Sequence, residues 1–288
     1  MTVGRSPTTR RRKLGRELRS RRESVGKMID EVARHIERAP STVSRIETGK
    51  AVALLKDVRL LLDLYGVDDE TDRERLITLA KEAQQKGWWE VFDDVMPPDF
   101  EAYIGLESDA AGLRVHENRM IEGLLQTPDY TRAALQAIRV TDIPENIERH
   151  VELRQRRQER LTQTPEPLNY WAIMDEGVLR RVVGSSSIMR EQLGHLLEKA
   201  KQPNVTIQIV PFSRGVHPAT DGPFVLVDFP DPSEPNVVYV DSGSAGNIYL
   251  EKPRDLRRYS NMFQHVLTLA LTPQESVALI ADVAKEMK

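Results

Sequence analysis

The chain has 288 residues, which is long enough for two domains, and no cysteine, which excludes disulfides and thiol chemistry. Its net charge of −3 conceals an asymmetry: residues 1–50 carry fourteen Lys or Arg and six Asp or Glu, and the remaining residues carry 27 and 38. This distribution is typical of a phosphate-binding module joined to a domain that does not touch nucleic acid. No apolar run approaches the ~20 residues of a membrane span, and the basic N-terminus has no apolar segment behind it, so we expect a cytoplasmic protein without a secretory signal.

Residues 10–67 are predicted to form a small all-α domain, preceded by a disordered tail over residues 1–9. The tail contains Gly, Ser, Pro and Thr, and Leu14 and Leu18 then begin a helix whose outer face carries arginines. The closing helix has an apolar stripe at helical spacing, formed by Val58, Leu61, Leu62 and Tyr65.

Residues 28–50 have the spacing of two short helices joined by a tight corner. Met28, Val32 and Ile36 recur at i, i+4 and i+8, so they form one apolar stripe on the first helix. Ala33 beside them is small enough to let a second helix cross closely.

Pro40 marks the start of the second helix, which is predicted to begin near Ala39, because a proline loses nothing at the first helical position. It runs to Thr48 and ends at Gly49. Val43 and Ile46 face inward, which leaves a polar outer face. That face consists of Ser41, Thr42, Ser44, Arg45 and Thr48.

These residues resemble the Cro/phage-repressor (Xre) class of helix-turn-helix, in which the second helix lies in the DNA major groove. The resemblance implies that Ser41, Thr42 and Arg45 contact base edges, and Arg45 can present a bidentate fork to guanine. Contacts to DNA phosphates are expected from Arg10, Arg11, Arg12, Lys27, Ser44, Thr48 and Lys50. For the basic run that starts at Arg10, a solvated charged tail is the alternative.

In this class, the glutamate of the Arg-Ile-Glu-x-Gly run pairs with an arginine of a preceding helix. The resemblance therefore implies a structural role for Glu47, with Arg19 or Arg22 as its partner. The corner usually carries glycine and then an apolar residue, whereas this chain has Glu37 and Arg38. A non-glycine residue at positive φ costs roughly 1–2 kcal/mol, so the corner is either strained or differently shaped. An ordinary pair of packed helices is the alternative to a helix-turn-helix.

Residues 68–87 are predicted to be a linker helix that opens with the capping box Thr71-x-x-Glu74. All tryptophans and phenylalanines lie at or beyond Trp88, as expected of a larger core in residues 88–288. Further helices are predicted from Asp99 to about Arg119, after Thr127-Pro128, from Pro144, over Leu193–Ala200, over Leu256–Ala270 and from Thr272.

Strands are predicted over Leu168–Met174, Val205–Val210, Phe224–Phe229, Val237–Asp241 and Asn247–Leu250. The first two flank a helix, which favours a parallel β-α-β unit. The third and fourth are joined by the turn Pro230-Asp231-Pro232 and are expected to form an antiparallel hairpin. The predicted fold is therefore an all-α helix-turn-helix domain followed by an α+β domain with a mixed sheet.

Several spaced runs in residues 88–288 resemble the C-terminal domain of antitoxin-like actinobacterial Xre regulators, a group that includes WhiJ-type developmental regulators. The runs are Gly87-Trp88-Trp89, Gly123-Leu124-Leu125-Gln126-Thr127-Pro128-Asp129-Tyr130, Asp175-Glu176 with Leu179-Arg180-Arg181, Asn204-Val205-Thr206, Val210-Pro211-Phe212 and Gly222-Pro223-Phe224. Glu122 stands where a proline usually precedes the Gly-Leu-Leu-Gln run. The resemblance implies that this domain binds a small partner protein encoded nearby.

An enzyme is the rival class. The six histidines are scattered, with no His-x-x-x-His pair, and the glycine-rich runs that cradle phosphates are missing, so no catalytic residue, metal or cofactor is expected. Residues 242–246 only approximate a nucleophile elbow. His217 with Asp221 in a loop is the remaining catalytic possibility, and a solvated histidine is the alternative.

A small-molecule sensor is the alternative function. Tryptophans and phenylalanines near the Val210–Phe224 loop could line an apolar pocket and bias the DNA-binding domain. In either case we expect a DNA-binding transcriptional regulator that acts as a homodimer, because one such module rarely supplies enough contacts.

Overall fold

A computed structural model describes residues 6–243 and 246–287 and divides the chain into two units. The first unit comprises the described residues up to Val91 together with Ile104–Asp109. The second comprises Phe92–Tyr103 and the described residues from Ala110 onward.

Helices build the first unit. They are α1 (Pro7–Ser24), α2 (Ile29–His35), α3 (Pro40–Glu47), α4 (Leu55–Leu64) and α5 (Glu70–Ala83). Their apolar faces form one buried core, in which Leu18, Val32, Val58 and Leu62 have no measurable exposure. This core holds α2 and α3 in the paired arrangement that the sequence predicts.

The start of α1 differs from the expected disordered tail. Ser6 caps the helix, because its Oγ accepts from the backbone N–H of Thr9 at 3.3 Å and Pro7 occupies the first turn. The backbone N–H of Ser6 also donates to Asp109 Oδ1 at 2.6 Å. The prediction of disorder is therefore wrong for residues 6–9, and residues 1–5 lie outside the described residues.

The expected linker segment contains α5, which packs against α1 and contributes Leu76 and Ala80 to the core of the first unit. Asp69 caps it by accepting from the N–H of Asp72 at 2.7 Å. The predicted capping box was wrong, since Thr71 already lies inside the helix.

The prediction of a single long helix over residues 99–119 was also wrong. Helix α6 (Pro98–Asp109) ends early, and strand β1 (Gly112–Glu117) follows. Leu113 and Val115 are buried on one side of this strand, and β1 has a hydrogen-bonded neighbour on each side. Short apolar runs of this kind suit a helix or a strand, and only pairing with distant strands decides between them.

The strands of the described residues form one six-stranded sheet in the order β3-β2-β1-β4-β5-β6. The strands after β1 are β2 (Asn169–Asp175), β3 (Val205–Val210), β4 (Phe224–Asp228), β5 (Val237–Asp241) and β6 (Asn247–Leu250). Strands β1, β2 and β3 are parallel, and β1, β4, β5 and β6 pair antiparallel in turn. The predicted β-α-β unit, hairpin and mixed sheet are confirmed.

The remaining helices are α7 (Pro128–Ile138), α8 (Pro144–Gln158), α9 (Gly177–Arg180), α10 (Ser186–Lys199), α11 (Pro253–Leu269) and α12 (Pro273–Glu286). Helix α11 packs on one face of the sheet through Phe263 and Val266, which meet Ile173, Phe224 and Leu226. The fold class is an all-α helix-turn-helix unit followed by an α+β unit with a mixed sheet.

Among the described residues, no single helix has the length and apolar composition to cross a membrane, and the bent pair α11 and α12 passes that test only when the two are taken together.

Candidate functional site

Helix α3 separates an apolar inner face from a polar outer face. Val43 and Ile46 are 2% and 3% exposed, so they anchor the helix in the core. The predicted DNA-contacting residues face the other way: Ser41, Ser44, Arg45, Thr48 and Lys50 are exposed, and Thr42 is half-buried. The helix therefore presents short hydroxyl groups and one long cation to solvent.

Arg45 is available for an external partner. In the part of the chain that the structure describes, no hydrogen bond or ion pair engages its guanidinium group. Thr48 differs, because its hydroxyl donates to the Ser44 carbonyl at 2.8 Å. A contact from Thr48 to a phosphate requires that hydroxyl to rotate away from the helix.

A buried ion pair fixes α3 to α1. Arg22 Nε and Nη2 donate to the two carboxylate oxygens of Glu47 at 2.6 and 2.9 Å. These hydrogen bonds raise the pKa of Arg22 above its usual value. The side chains are only 9% and 5% exposed. Of the two partners considered from the sequence, the structure uses Arg22, and Arg19 instead donates to Glu23 at 2.8 Å.

Glycines bring the backbones of α1 and α3 together. A Cβ added to Gly15 would lie 2.6 Å from the carbonyl oxygen of Glu47, and one added to Gly49 would lie 2.8 Å from the Cα of Arg12. Neither position can hold a larger residue without a backbone shift. The sequence analysis considered Ala33 as the close-packing position and missed Gly15, although a glycine inside a helical pattern was a usable signal.

The corner between α2 and α3 contains a residue with left-handed backbone conformation that is not a glycine. Glu37 has φ of +54°, and the N–H of Arg38 donates to the carbonyl of Ala33 at 2.9 Å. Arg38 Nε then donates at 3.0 Å to Asp57, which is 2% exposed. This pair ties the corner to α4. Because Glu37 is a non-glycine residue at positive φ, the structure shows the strained corner, one of the two alternatives considered from the sequence.

The basic run of α1 turns toward the interior of the unit. Arg10 Nε lies 3.2 Å from Glu82, and Arg11 Nε donates to the Ala83 carbonyl at 2.9 Å. Arg12 is 5% exposed. Arg10 and Arg11 are engaged with α5, and the phosphate contacts expected of Arg10, Arg11 and Arg12 stay predictions. Lys27 is half-exposed, close to the start of α2.

The second unit contains a cavity of about 270 Å³ beside β1, α7 and α8. Its aromatic lining consists of Phe100, Tyr103, Phe224 and Tyr239. The tryptophans that the sequence associated with a pocket lie elsewhere: Trp88 and Trp89 belong to the first unit, and Trp171 packs edge-on against Phe263 at 5.7 Å.

Buried charges share this cavity. Arg154 donates to Gln126 Oε1 at 2.5 Å, and burial lowers its pKa to about 10. Arg157 is 4% exposed and its guanidinium lies 5.1 Å from the ring centre of Phe100. Burial raises the pKa of Glu117 to about 7. The cavity thus offers aromatic faces together with cations in a low-dielectric site.

A second polar group lies next to the cavity wall. One ligand atom from each of His116, Asp175 and His217 lies within 4.8 Å of the others. Burial lowers the pKa of His116 to about 4 and raises the pKa of Asp175. His217 is 7% exposed and its Nε2 lies 3.1 Å from Asp175 Oδ1, so the loop histidine is buried and its carboxylate partner is Asp175 rather than Asp221. Asp221 is exposed on the same loop.

Sequence reasoning missed this group because its members are far apart in the chain. Asp175 and His217 are separated by 42 positions, and only the parallel pairing of β1 with β2 brings His116 beside them. The elbow-like segment 242–246 includes two residues outside the described part. Its described ends close a turn, with the N–H of Ser242 donating to the Gly246 carbonyl at 3.3 Å.

Comparisons with known proteins match two separate segments of the chain. Residues 13–76 match a helix-turn-helix domain, and residues 100–282 match a domain of unknown function, DUF5753. No curated protein and no solved structure gives a match. The helix-turn-helix match supports a DNA-binding regulator rather than an enzyme. The chain therefore belongs to the DUF5753 family and carries an N-terminal helix-turn-helix domain.

Proposed function

We propose that this protein is a sequence-specific transcriptional regulator of the Xre class that inserts α3 into the major groove of duplex DNA. One observation carries the proposal: α3 exposes Ser41, Ser44 and Arg45, while the Arg22–Glu47 pair holds its inner side against α1. A helix fixed in this way keeps its polar face in one orientation, which selective base contacts require.

Base contacts are assigned to Ser41, Thr42 and Arg45. Arg45 is the strongest candidate, since an arginine fork matches the O6 and N7 acceptors of guanine. Phosphate contacts are assigned to Lys27, Ser44, Thr48 and Lys50. Ser44 and Thr48 belong to that face and are exposed, Lys50 is also exposed, and Lys27 is half-buried.

The test compares Arg45→Ala with Arg59→Ala, which removes another exposed arginine, on α4. Duplexes selected from a random pool by the full-length protein provide the ligand. Arg45→Ala should weaken binding by about 1–3 kcal/mol and relax the preference at one base position. Arg59→Ala should retain that preference. Unchanged affinity and unchanged preference in Arg45→Ala would show that the assigned docking is wrong.

For the second unit we propose binding of a small partner protein, as its antitoxin-like, WhiJ-type runs imply. Exposed apolar side chains at the connection between α7 and α8 support this: Ile138, Val140 and Ile143 are 59%, 81% and 56% exposed. Neighbouring exposed apolar residues mark interaction surfaces. Val140→Asp should abolish co-purification with a small protein encoded beside the gene, whereas Val182→Asp, at another exposed valine, should not. Equal co-purification by both variants would exclude this surface.

We also propose that the protein acts as a homodimer, since paired half-sites lie roughly 34 Å apart on DNA and one module supplies few contacts. Sedimentation with a selected duplex should give two chains per duplex. A single chain at saturation would contradict the proposal.

The cavity favours one alternative function, a small-molecule-sensing regulator. Four aromatic side chains, the buried Arg157 and the half-buried Arg154 line it, beside the carboxylates of Glu117, Glu122 and Asp241. The aromatic faces and the two cations suit a ligand with an aromatic body and an anionic group. A ligand that binds only the folded protein raises its melting temperature by mass action. A rise with metabolites of this kind supports a sensor, and a rise with the partner protein alone supports the first proposal.

A further inference from the structure

We infer that His116, Asp175 and His217 form a binding site for a divalent transition metal of the zinc type. The three residues come from separate elements: His116 from β1, Asp175 from the end of β2, and His217 from the loop between β3 and β4. Their ligand atoms already lie within 4.8 Å of one another. Two imidazoles and a carboxylate are a ligand set that zinc sites use.

The hydrogen bonds of His116 leave a nitrogen ready to coordinate. Its Nε2 lies 3.1 Å from the Ala219 carbonyl, which can only accept, so Nε2 carries the proton. Nδ1 therefore keeps its lone pair. It is buried and makes no well-formed hydrogen bond to a described residue, and the Ile173 backbone also lies within interaction range of the ring. Metal-bound histidines characteristically donate their other ring N–H to a backbone carbonyl in this way.

His217 shows a related arrangement. Its side chain is 2% exposed, and its Nε2 lies 3.1 Å from Asp175 Oδ1. Its Nδ1 is also buried without a partner among the described residues. Adjacent donors on a tetrahedral zinc ion lie roughly 3.3 Å apart, as bond lengths near 2 Å require. Asp175 and His217 meet that spacing, and a ligand atom of His116 lies within 4.8 Å of both.

A purely structural histidine cluster is the competing interpretation. It leaves two buried ring nitrogens without a well-formed hydrogen bond, and each of them then carries an uncompensated desolvation penalty. A bound metal satisfies at least one of them, whereas hard oxygen-seeking ions such as Mg²⁺ gain little from imidazole. The metal would also tie the loop that carries His217 to the ends of β1 and β2.

The test titrates the metal-free, full-length protein with Zn²⁺, with Co²⁺ as a spectroscopic probe and Mg²⁺ for comparison. We expect one Zn²⁺ per chain, a higher melting temperature, Co²⁺ visible absorption typical of nitrogen and oxygen ligands, and no effect of Mg²⁺. Zn²⁺ should also slow tryptic cleavage after Arg214, which is exposed on the same loop.

Asp175→Asn and His217→Gln should each weaken Zn²⁺ binding by roughly tenfold or more. His265→Gln, at an exposed histidine of α11, should bind like the wild type. If His217→Gln does not fold, the isosteric Asp175→Asn decides. Failure of the wild type to bind Zn²⁺ stoichiometrically, or wild-type affinity in Asp175→Asn, would overturn the inference.

Discussion

Glu47 lies on the one helix whose outer face must stay polar, yet its own carboxylate is almost completely buried. Arg22 satisfies both of its oxygens, so the pair is fully hydrogen-bonded within the first unit. A buried charge that loses its partner is far more costly than an exposed one. In the proposed docking, Glu47 therefore has an indirect role, which is to hold the α3 backbone in place.

Glu47→Ala should lower the free energy of unfolding of the first unit by about 3–5 kcal/mol, because it leaves Arg22 as an uncompensated buried cation. Asp63→Ala, which removes the exposed partner of Arg73 elsewhere in the first unit, should change it little. Urea denaturation followed by circular dichroism measures both. Similar losses in the two variants would show that the pair has no special role.

At the scale of elements, the crossing of α1 and α3 depends on Gly15. Its missing side chain lets the α3 carbonyls approach α1 closely, with the Glu47 oxygen 2.6 Å from where a Cβ would stand. Gly194 in α10 provides a comparison, because a Cβ there would meet nothing within 4 Å. Alanine substitutions at the two glycines therefore distinguish the free-energy cost of a steric clash from the difference in helix propensity between glycine and alanine.

Gly15→Ala should destabilise the first unit by about 1–3 kcal/mol, since the added methyl group must push backbone atoms apart. Gly194→Ala should stabilise the second unit by up to about 1 kcal/mol, the difference in helix propensity. Thermal unfolding of both variants gives the comparison. A stabilising Gly15→Ala would contradict the close crossing.

Local signals account for what the sequence predicted well. Pro40, Pro128 and Pro144 each stand in the first turn of a helix. A proline is favoured there because its fixed φ suits the helix and its missing N–H would have had no partner. Strand β1 and the histidine cluster were missed, because partners distant in sequence determine both. The burial of Arg12 was not predicted either, because the charge composition of a segment does not tell which of its side chains are buried.

At the scale of the whole molecule, a basic segment precedes an acidic remainder, and the two units keep separate cores. His150 shows how buried groups make the stability of the second unit depend on pH. Burial lowers its pKa to about 4, with Arg139 and Arg154 opposing protonation and Asp142 favouring it. In the unfolded chain a histidine titrates near 6.5.

Between about pH 6.5 and 4 the unfolded chain therefore binds a proton at His150 that the folded chain does not. The stability that the neutral imidazole of His150 contributes to the folded state is fully present above pH 6.5 and is lost as the pH falls toward 4. His150→Gln should flatten the pH dependence of stability in that window, as urea denaturation at a series of pH values measures. Identical profiles for His150→Gln and the wild type would exclude this contribution.

The central claim is that the first unit binds duplex DNA through the exposed face of α3. Retention of double-stranded fragments of its own locus by the full-length protein, measured against salt concentration, tests it most directly. The account predicts that the logarithm of affinity falls linearly with the logarithm of salt concentration, and that Lys50→Ala reduces the slope by about one. If the protein binds none of these fragments in a salt-sensitive manner, the claim is contradicted.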